Sequence, residues 1–186
     1  LGGAANVARW LAADPRLTVT LMAPHGRAEA SMRLVTLCAE AGVRVSRRLF
    51  DPVLTMTVKE RLLAEDPEHG RLQHLVRVDR DVVGHPRAAD LPSIENDLIL
   101  AVSRLASKRY DALVAVDYGK LTFRGETGER LIKLLTETGL PLFVNAKHPG
   151  RWQAERTTFL ICNQEEMVAD FVQHEVRKVR TLVQAD

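Results

Sequence analysis

Several short segments carry side chains that could do chemistry. Gly2-Gly3-Ala4-Ala5-Asn6 sets small residues at a helix entry, followed by a carboxamide. Glycine permits close backbone approach, and free amides at a helix N-terminus attract anions or hydroxyls. Asn6 can both donate and accept, which suits a sugar hydroxyl. The same residues would also serve a helix start that merely packs tightly. In Thr57-Val58-Lys59-Glu60-Arg61, Lys59 and Arg61 are two apart and point to one side of a strand. Such a pair could hold a phosphate group, Arg bidentately and Lys as a point charge, or could form a solvated face. Val116-Asp117-Tyr118-Gly119-Lys120 puts a carboxylate, a glycine and a lysine just past an apolar run. Asp117 could orient a hydroxyl or a metal-bound water and Lys120 could meet a phosphate; alternatively, Asp117 caps the next element. Asn163-Gln164-Glu165-Glu166 puts a carboxamide and a carboxylate three residues apart where an apolar run ends and a helix opens. The same spacing is also that of a capping box between Asn163 and Glu166.

Alternating helix-like and strand-like segments must position these groups. Ala4 to Ala13 has Val7, Trp10 and Leu11 at helical spacing, and Leu17 to Ala23 reads as a strand. Ala28 to Ala41 reads as a helix with Met32, Val35, Cys38 and Ala39 on one face and Gly42 as its stop; Val43 to Arg47 alternates like a strand. Leu54 to Ala64 and Leu72 to Asp79 are extended runs separated by Asp66-Pro67-Glu68-His69-Gly70, a hairpin signal. Ser93 to Lys108 reads as a helix with Ser93 as N-cap and Ile94, Leu98, Ala101 and Leu105 on one face. Ala112 to Val116, Leu142 to Val144 and Thr158 to Ile161 are apolar runs expected to be neighbouring strands covered on both faces. Glu126 to Thr138 is a helix closed by Gly139, and Gln164 to His174 is helical. This alternation predicts an α/β fold, three layers around a mainly parallel central sheet. Ligands in such sheets sit at the carboxyl ends of strands, where Asp117, Asn145 and Asn163 fall.

A chain of 186 residues suits one domain with a real core. Its 26 basic and 24 acidic residues are balanced and form no long like-charge run, so neither a nucleic-acid nor a membrane partner is expected. Cys38 and Cys162 lie far apart in apolar stretches and read as buried free thiols of a reducing compartment, the cytoplasm. The six histidines are scattered singly, which argues against zinc. There is no Walker A loop, and no strand precedes the glycines as a dinucleotide fingerprint requires.

Taken in order, these segments resemble the ribokinase-type (PfkB) carbohydrate kinase family, most closely its members that act on heptose 7-phosphate. Asn-x-x-Glu at Asn163–Glu166, the Gly2-Gly3 and Asn6 start, "TVKER" and "VDYGK" carry the likeness, which runs from about Gly2 to about Val168. Arg77 and Asp79 in "HLVRVDRD" resemble a family strand, or form a surface salt bridge. The resemblance implies a ribokinase-like sandwich, incomplete here, over residues 1–186, using ATP and Mg²⁺. It implies a sugar or sugar-phosphate site at Gly2, Gly3, Asn6, Lys59, Arg61 and Asp117. It also implies a nucleotide side at Lys120, Lys147, Asn163, Gln164, Glu165 and Glu166, with Glu166 acting on the metal.

The chain also departs from the family. Leu121 replaces a second glycine after "DYGK", and Asn145 stands where an aspartate is usual, with Ala146 for proline. The family's first strand and its lid strands ahead of the glycines are missing, as is the Gly-Ala-Gly-Asp segment carrying the catalytic base. Val176 to Asp186 supplies no substitute. The expectation is therefore a sugar-kinase-like chain that does not turn over alone and whose uncovered edges favour aggregation or a homodimer. The alternative is a non-catalytic relative that binds a ligand or a protein partner.

Overall fold

The computed structural model describes residues 2–50, 57–66, 69–80, 91–104, 110–119, 121–123, 125–152 and 156–170. They form an α/β structure whose helices and strands alternate along most of the chain. The chain divides into two compact units, one of Ala5–Ile94 and one of Glu95–Asp186 together with Gly2–Ala4.

Helix α1 (Gly3–Ala12), which belongs to the first unit from Ala5 onward, buries Ala5 and Ala8. Strands β1 (Thr20–Leu21) and β2 (Arg44–Val45) pair in parallel around helix α2 (Glu29–Glu40). Both strands are shorter than the sequence predicts. The Arg44 amide donates to Val19 O and the Ser46 amide to Leu21 O, so pairing extends only slightly beyond the strands. The buried seam of α2 is Ser31, Leu34 and Cys38, whereas Met32 is 63% exposed and Ala39 is exposed, which corrects the predicted face. Ser31 enters the core because its hydroxyl accepts the Gly26 amide at 3.1 Å, so a polar residue occupies a position that hydrophobicity alone would assign elsewhere. Cys38 is fully buried, and that burial raises its thiol pKa from the ordinary 9.0.

The same unit carries an antiparallel hairpin, β3 (Val58–Glu65) and β4 (Leu72–Arg80). Gly70, at φ +61°, takes the left-handed conformation of the turn, and its amide returns to Asp66 O at 2.8 Å. Pro67 and Glu68, and the expected strand start at Leu54 to Met56, lie outside the described residues. An irregularity between Leu62 and Leu63 shifts the register, leaving Leu75 unmatched.

In the second unit, α3 (Leu91–Ser103) starts two residues before Ser93, so Ser93 is not its N-cap. Pro92 falls in the first turn, where its missing N–H costs no helical hydrogen bond. Leu98 and Ala101 are buried as expected; the Ile94 side chain and Leu105 lie outside what is described. Strands β5 (Leu113–Asp117), β6 (Leu142–Ala146) and β7 (Phe159–Ile161) form one parallel sheet in that order, so the three apolar runs are neighbouring strands. Helix α4 (Gly125–Thr136) lies between β5 and β6 in sequence, burying Leu131, Ile132 and Leu135; Gly139 follows at φ +70°. Residues 164–170 are helical after β7.

Among the described residues, one face of this sheet is buried and the other is largely exposed. Leu113, Ala115, Asp117, Leu142, Val144 and Ala146 are buried, but Val114 is 47%, Phe159 60% and Ile161 55% exposed. The expectation of strands covered on both faces is corrected accordingly. On the open face Phe143 and Phe159 stack with centroids 5.4 Å apart.

Candidate functional site

The parallel register brings several predicted residues to the carboxyl edge of the β5-β6-β7 sheet. Asp117 ends β5 opposite Ala146, and the Lys147 amide donates to Asp117 O at 2.8 Å. Lys147 is exposed, and Asn163 stands two residues beyond β7. Within the second unit, Gly3 lies against Tyr118, so tightly that an added Cβ would overlap the phenol ring. Gly119, at φ +65°, turns the chain immediately after Asp117, with the His148 ring 3.4 Å from where a side chain would begin. Lys120 lies outside the described residues.

Asp117 is completely buried. Its Oδ1 accepts the Gly119 amide at 2.9 Å and its Oδ2 accepts the Trp152 indole N–H at 3.1 Å, with Arg151 Nη1 at 3.7 Å. Arg151 in turn donates through Nε and Nη2 to Glu129 Oε1 at 3.1 and 2.9 Å. Trp152 is 2% exposed and meets Phe123 edge to face at 5.3 Å. A carboxylate removed from water needs such partners, because an unpaired buried charge is costly. The arrangement closes the turn after β5 and ties the loop after β5 to the loop after β6.

At the third strand end, Asn163 and Glu166 form a reciprocal capping box. The Glu166 amide donates to Asn163 Oδ1 at 2.7 Å, and the Asn163 amide donates to Glu166 Oε2 at 3.0 Å. Gln164 and Glu165 are exposed in the same turn. Among the described residues, no group of three or more His, Cys, Asp or Glu is arranged to hold a metal ion. Glu166 Oε2 is engaged in the cap, and Asn145 on the neighbouring strand supplies no negative charge.

The other predicted groups belong to the first unit. Asn6 is exposed on α1. Lys59 and Arg61 are exposed on one face of the hairpin, where Lys59 is opposite Asp79 and Arg61 opposite Arg77. Asp79 receives Arg77 Nε at 2.9 Å and Lys59 Nζ at 3.8 Å. The salt bridge considered for Arg77 and Asp79 is thus present, with Lys59 joined to it.

Trp152, Arg151 and Glu129 were not found from the sequence. Their link to Asp117 spans 35 residues for the indole, and no local pattern marks a contact of that range. Arg77 was noticed, but its place opposite Arg61 follows from strand register, which is sensitive to the irregularity near the turn. Neither a protein-family model nor a curated protein sequence matches the chain. Among the described residues, no helix is long and apolar enough to cross a membrane.

Proposed function

We propose that the chain is a sugar-kinase-like domain that binds a phosphorylated sugar and ATP with Mg²⁺, for phosphoryl transfer to a sugar hydroxyl in the enzyme to which it belongs. The observation that carries the reading is the hairpin face on which Lys59 and Arg61 lie together, beside Arg77. A cationic face of this kind suits a phosphorylated acceptor better than a neutral one. The strand-end groups Lys147, Asn163 and Glu166 support a nucleotide side, because anions and their metals bind at such edges. Cytoplasm is the matching compartment, consistent with the free thiols Cys38 and Cys162.

A second reading, a non-catalytic ligand-binding relative, is favoured by a specific observation. Both Asp117 oxygens are engaged inside the protein, and Glu166 is engaged in the helix cap. Titration of the 186-residue chain with a heptose 7-phosphate and with ATP–Mg²⁺ tests the first reading, and a coupled ADP-release assay separates the two. Arg61→Ala is expected to weaken sugar-phosphate binding roughly tenfold while leaving ATP affinity within about twofold, since it removes one charge-assisted contact. Equal loss for both ligands, or equal affinity for the unphosphorylated sugar, would count against the sugar-phosphate site. Binding of both ligands without turnover, with or without added sugar hydroxyl acceptors, supports the second reading.

A further inference from the structure

The loop after β6, residues 147–152, is tied to three elements, while two of its polar side chains are left over. The Lys147 amide donates to Asp117 O at 2.8 Å and the Trp152 indole to Asp117 Oδ2 at 3.1 Å, so both ends of the loop grip the end of β5. Between them, Arg151 Nη2 donates to Glu129 of α4 at 2.9 Å. The Gly150 amide donates to Asp170 Oδ2, on the helix that follows β7. Pro149 and Trp152 are buried. A segment anchored this way has little freedom left. Yet the Lys147 ammonium and the His148 ring enter no hydrogen bond or ion pair among the described residues. Lys147 is exposed and His148 half-buried. The Cδ2–Nε2 edge of the His148 ring faces Gly119, which leaves Nδ1 on the other edge.

Donors fixed before a ligand arrives avoid the ordering cost that free side chains meet on binding. The Lys147 amide continues the pairing of β6 with β5, so Lys147 and His148 leave an extended backbone on opposite sides. A single phosphate reaches both heads less readily than a chain of phosphates, which can span them. We infer that this loop is a pre-set clip for the polyphosphate chain of a nucleoside triphosphate. Lys147 and His148 are its contacts, and Asp170 is the positioning residue that closes it. The inference rests on the reading of Lys147 as part of a nucleotide side. It adds His148, Asp170 and a preference for linked over single phosphates.

The test uses the full chain carrying Trp10→Phe, which leaves Trp152 as the only tryptophan. Trp10 is 69% exposed and belongs to the other unit. Calorimetry measures the binding of tripolyphosphate, of orthophosphate, and of ATP with Mg²⁺. Tripolyphosphate should bind about tenfold or more tighter than orthophosphate, and Lys147→Ala and His148→Ala should each weaken tripolyphosphate and ATP about tenfold, as for one contact. Arg156→Ala removes a cation that lies ahead of β7 and pairs with Glu137 at 3.8 Å, and it should leave binding unchanged. Asp170→Ala removes a negative charge, so charge alone would tighten anion binding. Loss of the anchor should instead weaken it, about threefold to tenfold. Asp170→Asn keeps an oxygen for the Gly150 amide and should bind at least as tightly as the Trp10→Phe chain. With no ligand present, acrylamide should quench Trp152 more in Asp170→Ala than in Asp170→Asn.

Unchanged tripolyphosphate binding in His148→Ala overturns the clip. So does orthophosphate binding as tight as that of tripolyphosphate. A loss in Arg156→Ala as large as that in His148→Ala would mean diffuse attraction and overturns it as well. Tighter binding by Asp170→Ala, or equal quenching in the two Asp170 variants, overturns the positioning role. A chain that binds tripolyphosphate and ATP through Lys147 and His148, yet releases no ADP with a sugar phosphate, keeps the clip and removes the kinase reading. ATP binding untouched by Lys147→Ala and His148→Ala does the reverse and leaves the nucleotide to Asn163 and Glu166. Failure of all three probes to bind overturns both.

Discussion

At the scale of single residues, the decisive feature is where Asp117 sends its charge. Its oxygens meet the Gly119 amide and the Trp152 indole, and Arg151 approaches the second of them. Without solvent to compensate, removing one partner strands the others. Trp152→Phe keeps the ring contact with Phe123 but deletes the indole donor. It should cost about 1–3 kcal/mol, the penalty for an unsatisfied buried group. Asp117→Ala leaves both the indole and the Gly119 amide without their acceptor, while Arg151 keeps Glu129, and should cost more than Trp152→Phe, about 2–4 kcal/mol for two unsatisfied donors. Urea unfolding of the two variants measures both. Should Asp117→Ala prove less costly than Trp152→Phe, the carboxylate would not be the centre of the network. Asn163 and Glu166 make the same point more simply, since two side chains chosen by sequence for a nucleotide are also each other's cap.

At the scale of elements, helix α4 shows how closely a backbone can be specified. Gly128 is buried, and a Cβ added there would meet the Phe123 backbone carbonyl group and Cα. Those are main-chain atoms of the short turn at Leu121–Phe123 and cannot swing aside. Glycine is an unfavourable residue within a helix, and alanine would gain about 1 kcal/mol of propensity. Overpacking costs roughly 1–3 kcal/mol or more where the neighbour is rigid. Gly128→Ala should therefore lower the melting temperature despite its better propensity, with near-unchanged far-ultraviolet circular dichroism. A rise in melting temperature would show that the turn yields. The β3–β4 hairpin is the opposite case: its register is pinned by pairing, yet all of β4 is exposed.

At the scale of the whole molecule, the open face of the β5-β6-β7 sheet governs behaviour in solution. Parallel sheets are ordinarily covered on both sides, and contiguous exposed apolar residues promote association. Val114, Phe159 and Ile161 are each roughly half exposed there. The 186-residue chain is expected to self-associate as its concentration rises, and Phe159→Lys with Ile161→Lys should shift it toward monomer. Sedimentation velocity over a concentration series reads this directly. A chain that stays monomeric throughout, or a double variant that associates as before, would mean that this face does not drive assembly.

The sequence by itself determined the α/β class, the three adjacent parallel strands and the hairpin, because periodicity, apolar runs and turn residues are local signals. Gly70 and Gly139 occupy the left-handed turns that their positions announced. It also nominated Lys59, Arg61, Asn163 and Glu166, since residue type and spacing decide what chemistry is feasible. Only the tertiary structure decided what surrounds a side chain. Asp117 is enclosed by Trp152 and Arg151, which are distant from it in sequence. Ser31 rather than Met32 lies in the core, on the helical seam with Leu34 and Cys38, and its hydroxyl accepts the Gly26 amide there. Arg61 came to oppose Arg77 through pairing across the hairpin. Contacts between residues far apart in sequence leave no periodic trace, so a single chain's pattern carries the elements but not their partners.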